Sequence, residues 1–279
     1  MWLSSMAKIK FMSCNFDCLI KLMHNQYIEK IVKFEAIMST APAFSALSLA
    51  GVDAQKFLQG QVTLHVERLA ENITRYTGIC NLKGRLQFGL WLTKLNPESF
   101  VIVTTADQAD ELAKHIQKFG AFSKMKLQVL GQVYPTLVDD CTIFSDSETD
   151  VTAWQRAAIQ AGQAWLNTSS LNEFQPQELR LHQREGVHYD KGCYLGQEIV
   201  ARLWFKAKPK HWLHLVQGQG AVPETASKLH NDVEVVNAIG TEQGYLALVV
   251  AKPQALVELG LEVLDLPEYL NGDVARPQA

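Results

Sequence analysis

Cysteine, lysine, tyrosine, glutamine and glutamate fall together in one short stretch, Lys191-Gly192-Cys193-Tyr194-Leu195-Gly196-Gln197-Glu198. A thiolate is the reactive form of cysteine, and a nearby cation lowers the pKa at which it forms. Lys191 or Arg202 folded back toward Cys193 would supply that charge, making the thiol a nucleophile, a redox group or a metal ligand. Gln197 adds a two-way hydrogen bonder and Glu198 a carboxylate. Glycines at 186, 192 and 196 permit backbone that other residues resist, so a shaped loop rather than a helix interior is expected around Cys193. The plain alternative is that Cys193 is a small core residue and the glycines only shape a turn.

The other four cysteines, Cys14, Cys18, Cys80 and Cys141, are scattered and make an odd total of five. That is a poor disulfide framework and fits a reducing compartment, so a cytoplasmic location is expected. Cys14 and Cys18 lack a second ligand pair nearby, which disfavours zinc. His182, His188, His211 and His214 cluster in sequence. His211 and His214 would point to opposite faces of a strand, so surface or turn roles are expected and no metal site is assigned.

The elements that must position this loop follow from patterning. Phe44–Leu49 alternates as a strand, and Asp53 is placed to cap a helix whose Ala54, Phe57 and Leu58 face a core. Residues 73–81 and 85–95 read as strands joined at Leu82-Lys83-Gly84. Asn96-Pro97 turns into a strand over Phe100–Val103. A helix is expected over 107–119, then a strand over 126–130, giving an α+β unit at about 93–137. Residues 141–152 read as a polar loop and 153–166 as a helix. After Pro209 short strands at 212–216, 233–238 and 245–251 suggest a β-rich C-terminal domain, 206–279. The net charge of −3 lacks the basic surplus of a general nucleic-acid binder. No apolar run is long enough to span a membrane. Residues 1–37 differ from the rest: they contain no Arg and little pattern, and Met38 is the expected natural start.

The octamer from Lys191 to Glu198 resembles the K-G-C-Y-x-G-Q-E signature of the YgfZ family, the folate-binding relatives of glycine-cleavage T-proteins, at every fixed position. The segment from Gly51 through Thr63 is similar to that family's G-x-D-A-x-x-F-L-Q-G-Q-x-T opening. Lys83-Gly84-Arg85 is similar to its K-G-R turn, and Phe174–Gln177 to the stretch before the signature. The resemblance is strong over residues 44–202 and weak beyond. It departs at Phe205-Lys206-Ala207, where relatives carry aromatic-Arg-Gly, and at Arg180, where they carry Asn.

The resemblance implies an α+β aminomethyltransferase-like folate-binding region over 38–205, including a ferredoxin-like subdomain, and a small β-barrel-like C-terminal domain. It implies a tetrahydrofolate site, for which Gln61, Asn81, Arg85, Tyr194, Gln197, Glu198 and Arg202 are the candidates, with Cys193 and Lys191 as the chemical centre. Each has a structural alternative: a helix-end bond for Gln61, a turn for Asn81, a surface ion pair for Arg85, core for Tyr194. Glu185 sits in a run loosely similar to a T-protein R-L-E-A-G stretch with shifted spacing, and is expected to be solvated. T-proteins carry an acidic pair after their glycine turn, whereas Gly84–Gly89 here has none. The resemblance therefore implies support of iron–sulfur clients, and through them tRNA modification, rather than classical enzyme activity. In that role Cys193 would touch a cluster, a sulfur species or a carbon adduct. The alternatives are a folate-dependent one-carbon transferase and a non-catalytic RNA or protein interaction module. The expected partners are folate and iron–sulfur clients, with no direct nucleic-acid contact, no membrane and a monomeric state.

Overall fold

The computed structural model describes residues 41–276; the leader, Met38 and the last three residues lie outside them. Among the described residues, eleven strands are arranged in two antiparallel sheets. The first contains β1 (Phe44–Ala50), β2 (Thr74–Cys80), β3 (Leu86–Asn96), β4 (Ser99–Thr105), β5 (Lys126–Val138) and β6 (Cys141–Ser145), in the order β2-β3-β4-β1-β5-β6. β4 and β5 flank β1 instead of pairing with each other; Leu47 stands opposite Ile102 on one side and Val129 on the other.

Both faces of the β1–β4 part of this sheet are buried, and residue alternation shows why. On β1, Phe44 and Ala46 point to one cluster and Leu47 and Leu49 to another. β3 divides likewise, with Trp91 on the first side and Phe88, Leu90 and Leu92 on the second. Helices α1 (Ala54–Gln59) and α2 (Ala109–Phe119) cover the second face through Ala54, Phe57, Leu58, Leu112 and Ile116. The first face packs on α3 (Val151–Gln160), the Ala164–Leu166 segment and the second sheet.

That second sheet comprises β7 (Trp212–Gly218), β8 (Lys228–His230), β9 (Val233–Thr241), β10 (Gly244–Ala251) and β11 (Glu262–Leu264), ordered β11-β7-β10-β9-β8. Helix α5 (Pro253–Glu258) buries Ala255 and Leu256 on its outer face. Helix α4 (Gln197–Phe205) links the loop of interest to this sheet.

Several local expectations need correction. Residues 141–145 form β6, not a loop, because Asp139 and Asp140 adopt left-handed φ of 47° and 58° and turn the chain back on β5. The helix expected over 153–166 ends at Gln160, since Gly162 takes φ 65°, and the buried residues beyond it are irregular. Asp53 makes no side-chain cap; its Oδ2 accepts from the Lys124 amide at 2.6 Å. Among the described residues no helix is long and apolar enough to cross a membrane.

Candidate functional site

Two glycine turns interlock beneath Cys193. Gly196 has φ 78° and immediately precedes α4. A β-carbon there would fall on the Asn81 carbonyl oxygen and 2.9 Å from Cys80 Cβ. Gly84 has φ 70°, and its β-carbon would lie 2.8 Å from Ile199 Cβ. Both positions therefore need glycine for conformation and for space. Asn81 ties the facing turn: its Oδ1 accepts from the Lys83 and Arg85 amides at 2.8 and 3.2 Å, and its amide donates to Asn172 at 2.8 Å. The Arg85 guanidinium donates to the Glu173 carbonyl.

Lys191 is buried, and its ammonium turns inward. It donates to the carbonyls of Val62 at 2.6 Å and Leu64 at 2.8 Å, and lies 4.8 Å from the centre of the Tyr194 ring. Burial pushes its pKa down to about 7, against the opposing pull of Glu67. Tyr194 is buried with its hydroxyl unpartnered, and burial raises its pKa. A polar zipper continues this seam. Thr63 and Thr77 both donate to the Gly186 carbonyl, at 2.7 and 2.9 Å, and the His188 amide donates to Thr63 at 3.0 Å. Cys193 itself is a free, exposed thiol on the loop.

Elsewhere, a cavity of about 360 Å³ opens where β2, β3, the β5–β6 turn, residues 183–185 and Tyr269 converge. Arg75 Nε donates to Glu185 at 2.9 Å, and its Nη1 lies 4.0 Å from the Cys141 sulfur. Arg184 donates to the carbonyls of Ala161 at 2.9 Å and Asp140 at 2.8 Å, and to the Tyr269 hydroxyl at 2.9 Å. Trp91 also lines the cavity, and its buried indole N–H has no partner. Such an orphan donor is costly in a folded protein unless something else fills it.

No family model matches the chain. An uncharacterised protein of Haemophilus influenzae is 30% identical over 200 residues, covering 63% of this chain and 71% of that one. A protein of Serratia proteamaculans named tRNA-modifying protein YgfZ is 26% identical over 246 residues, covering 69% and 73%. Its Vibrio atlanticus namesake is 22% identical over 284 residues, covering 86% and 87%. The chain belongs to the YgfZ family. The crystal structure of aminomethyltransferase T of the glycine cleavage system from Bartonella henselae shares the fold, with TM-score 0.58 and 15% identity, over 76% of this chain and 79% of that one.

In this YgfZ-family chain four of the seven folate-site candidates gather at the glycine junction. Asn81, Arg85, Tyr194 and Gln197 surround it, while Gln61 bonds His115 on α2 through its Oε1 at 2.9 Å. Glu198 and Arg202 are exposed on α4. None of the seven lines the 360 Å³ cavity. Its arginines and aromatics come from four separated stretches, so no motif marks them. Arg75 and Tyr76 could have been noticed only as a charged and an aromatic residue side by side at the start of a strand.

Proposed function

We propose that this chain is a folate-binding protein that supports iron–sulfur cluster assembly or repair, and thereby tRNA modification, with Cys193 as its working thiol. The observation that carries the folate reading is the cavity with an unpartnered Trp91 indole N–H inside a wall of Tyr76, Tyr269, Arg75 and Arg184. A folate needs flat apolar walls, a polar edge reader and a cation for its glutamate tail, and these residues supply all three. Gln163 and the Trp91 N–H would read the pterin edge, and the two arginines would take the carboxylates. When bound, the folate would carry a one-carbon unit. The tRNA link rests on the name borne by the relatives. Cys193 fits a role toward an outside partner because it is solvent-exposed, while its loop is fixed from below by Lys191 and Gly196.

Calorimetric titration with tetrahydrofolate tests the first half. Wild type should bind, and absence of binding would overturn it. Cys193→Ser in the native host tests the second: cluster-dependent enzyme activity should fall under oxidative stress, and unchanged activity would remove the thiol from the mechanism.

A further inference from the structure

The chain is acidic overall, yet the stretch following the signature is not. Between Glu198 and Glu224 there is no acidic residue, while Arg202, Lys206, Lys208 and Lys210 occur within nine positions. All four are exposed. In sequence they flank Trp204 and Phe205, and these two rings, with Tyr189 and His182, line a concavity of about 380 Å³. The Tyr189 and Trp204 rings stack at 4.4 Å with 5° between their planes. Phe205 projects beside them, half exposed, with the Arg276 guanidinium 5.1 Å from its centre. His182 has its Nδ1 unpartnered. The acidic groups nearby are Asp190, whose carboxylate is already paired with Arg68, and Glu198 in the first turn of α4.

We infer that this aromatic concavity on α4, with lysines beside it in sequence, docks unpaired nucleotides of an RNA, with a base against the ring wall and phosphates on Lys206, Lys208 and Lys210. Aromatic faces capture splayed bases of any identity, and neighbouring cations track the backbone. The cavity has room for a single flat base. A membrane surface would call for protruding apolar side chains, whereas these rings line a hollow. An acidic peptide would use the lysines but leave the stacked rings without a role. The inference goes beyond the proposed function, which places RNA downstream of client enzymes, and it does not depend on folate binding.

Fluorescence anisotropy on the full chain, with a labelled single-stranded RNA of about ten nucleotides, tests it. Wild type should bind with micromolar affinity. The triple variant Lys206→Glu, Lys208→Glu, Lys210→Glu should bind at least tenfold more weakly. Its slope of log affinity against log salt should be shallower by about 2, from three lost contacts at about 0.7 each. Phe205→Ala should weaken binding severalfold with the salt slope unchanged, because it removes stacking and not charge. Tetrahydrofolate titration of the triple variant should match wild type, which separates failure here from failure of the folate reading. The proposal is overturned by absent RNA binding, by equal affinity in the triple variant, or by equal affinity for fully duplex RNA. Tighter binding to phosphatidylserine vesicles or to a polyglutamate peptide than to RNA would also overturn it.

Discussion

The glycine junction under Cys193 and the cavity beside Trp91 solve opposite problems. At the junction, the Tyr194 hydroxyl apart, the polar groups are satisfied internally: Lys191 by two carbonyls, Asn81 by two amides and Asn172, Arg85 by Glu173. At the cavity a buried donor is left over, and the two lining arginines are held by Glu185, by the Ala161 and Asp140 carbonyls and by the Tyr269 hydroxyl. The contrast teaches that a dense motif can mark where the backbone has no freedom, while ligand chemistry is assembled from single residues far apart in sequence. Breaking the first region should cost stability; changing the second should cost binding.

The largest effect is expected at Gly196. Gly196→Ala places a methyl group on the Asn81 carbonyl at a φ of 78° that alanine resists. Backbone cannot yield as a side-chain tip would, so a loss of about 3 kcal/mol or more is expected. Gly192→Ala, four residues before the helix-leading Gly196, meets nothing within 4 Å. It should change stability by less than about 0.5 kcal/mol. Urea denaturation of both variants checks the pair, and similar losses would show that the interlock is not the constraint.

Lys191 comes next. Lys191→Met leaves the Val62 and Leu64 carbonyls without their donor, at a cost of about 1–3 kcal/mol for a buried group so stranded. The pH dependence is a second signature. Burial lowers the folded-state pKa from 10.5 to about 7, so across that window the unfolded chain holds a proton that the folded chain has released. Stability from this group is therefore complete above 10.5 and is lost as pH falls toward 7. Melting temperatures measured between pH 7 and 10 should rise with a steeper slope in wild type than in Lys191→Met.

The cavity should respond in the other readout. Arg184→Gln is expected to weaken tetrahydrofolate about tenfold, or about 1.4 kcal/mol, by removing a cation from the tail. Arg85→Ala, whose guanidinium is committed to Glu173 at the junction, should leave that affinity within about twofold, well under 1 kcal/mol. If calorimetry gives the reverse order, the folate sits at the signature and the comparison falls.

How much of this was legible beforehand follows the same divide. The β2–β3 hairpin, α2 and the core strands of the second sheet could be read because their alternation or helical spacing reports burial directly. β6 could not, because Asp146, Glu148 and Asp150 make the following residues look like loop and the turn at Asp139-Asp140 uses left-handed aspartates without a glycine. Ala161–Leu166 looked helical because it is apolar, but burial there comes from packing beneath β9, where Asn237 exchanges hydrogen bonds with the Trp165 backbone at 3.0 Å. Cys193 on its loop followed from the glycines. The inward turn of Lys191 did not, since nothing in local spacing shows Val62 and Leu64 waiting opposite.

The smallest effect is expected at Glu185, and it separates ligand reading from simple charge. The residue pairs with Arg75, but its side chain is 68% exposed, so the pair contributes little to stability. Glu185→Gln should therefore shift the unfolding midpoint by less than about 0.5 kcal/mol equivalent. Its effect on tetrahydrofolate should be a gain of about twofold to threefold in affinity. Removing the carboxylate frees Arg75 and withdraws a negative charge from beside an anionic tail. Because the groups are solvated, that gain should shrink in concentrated salt, where screening acts over about 3 Å at 1 M instead of about 8 Å at physiological strength. A loss of tenfold or more, insensitive to salt, would make Glu185 a direct reader of the pterin edge. The cavity would then depend on a buried-type hydrogen bond from a residue that sequence and exposure alike mark as solvated.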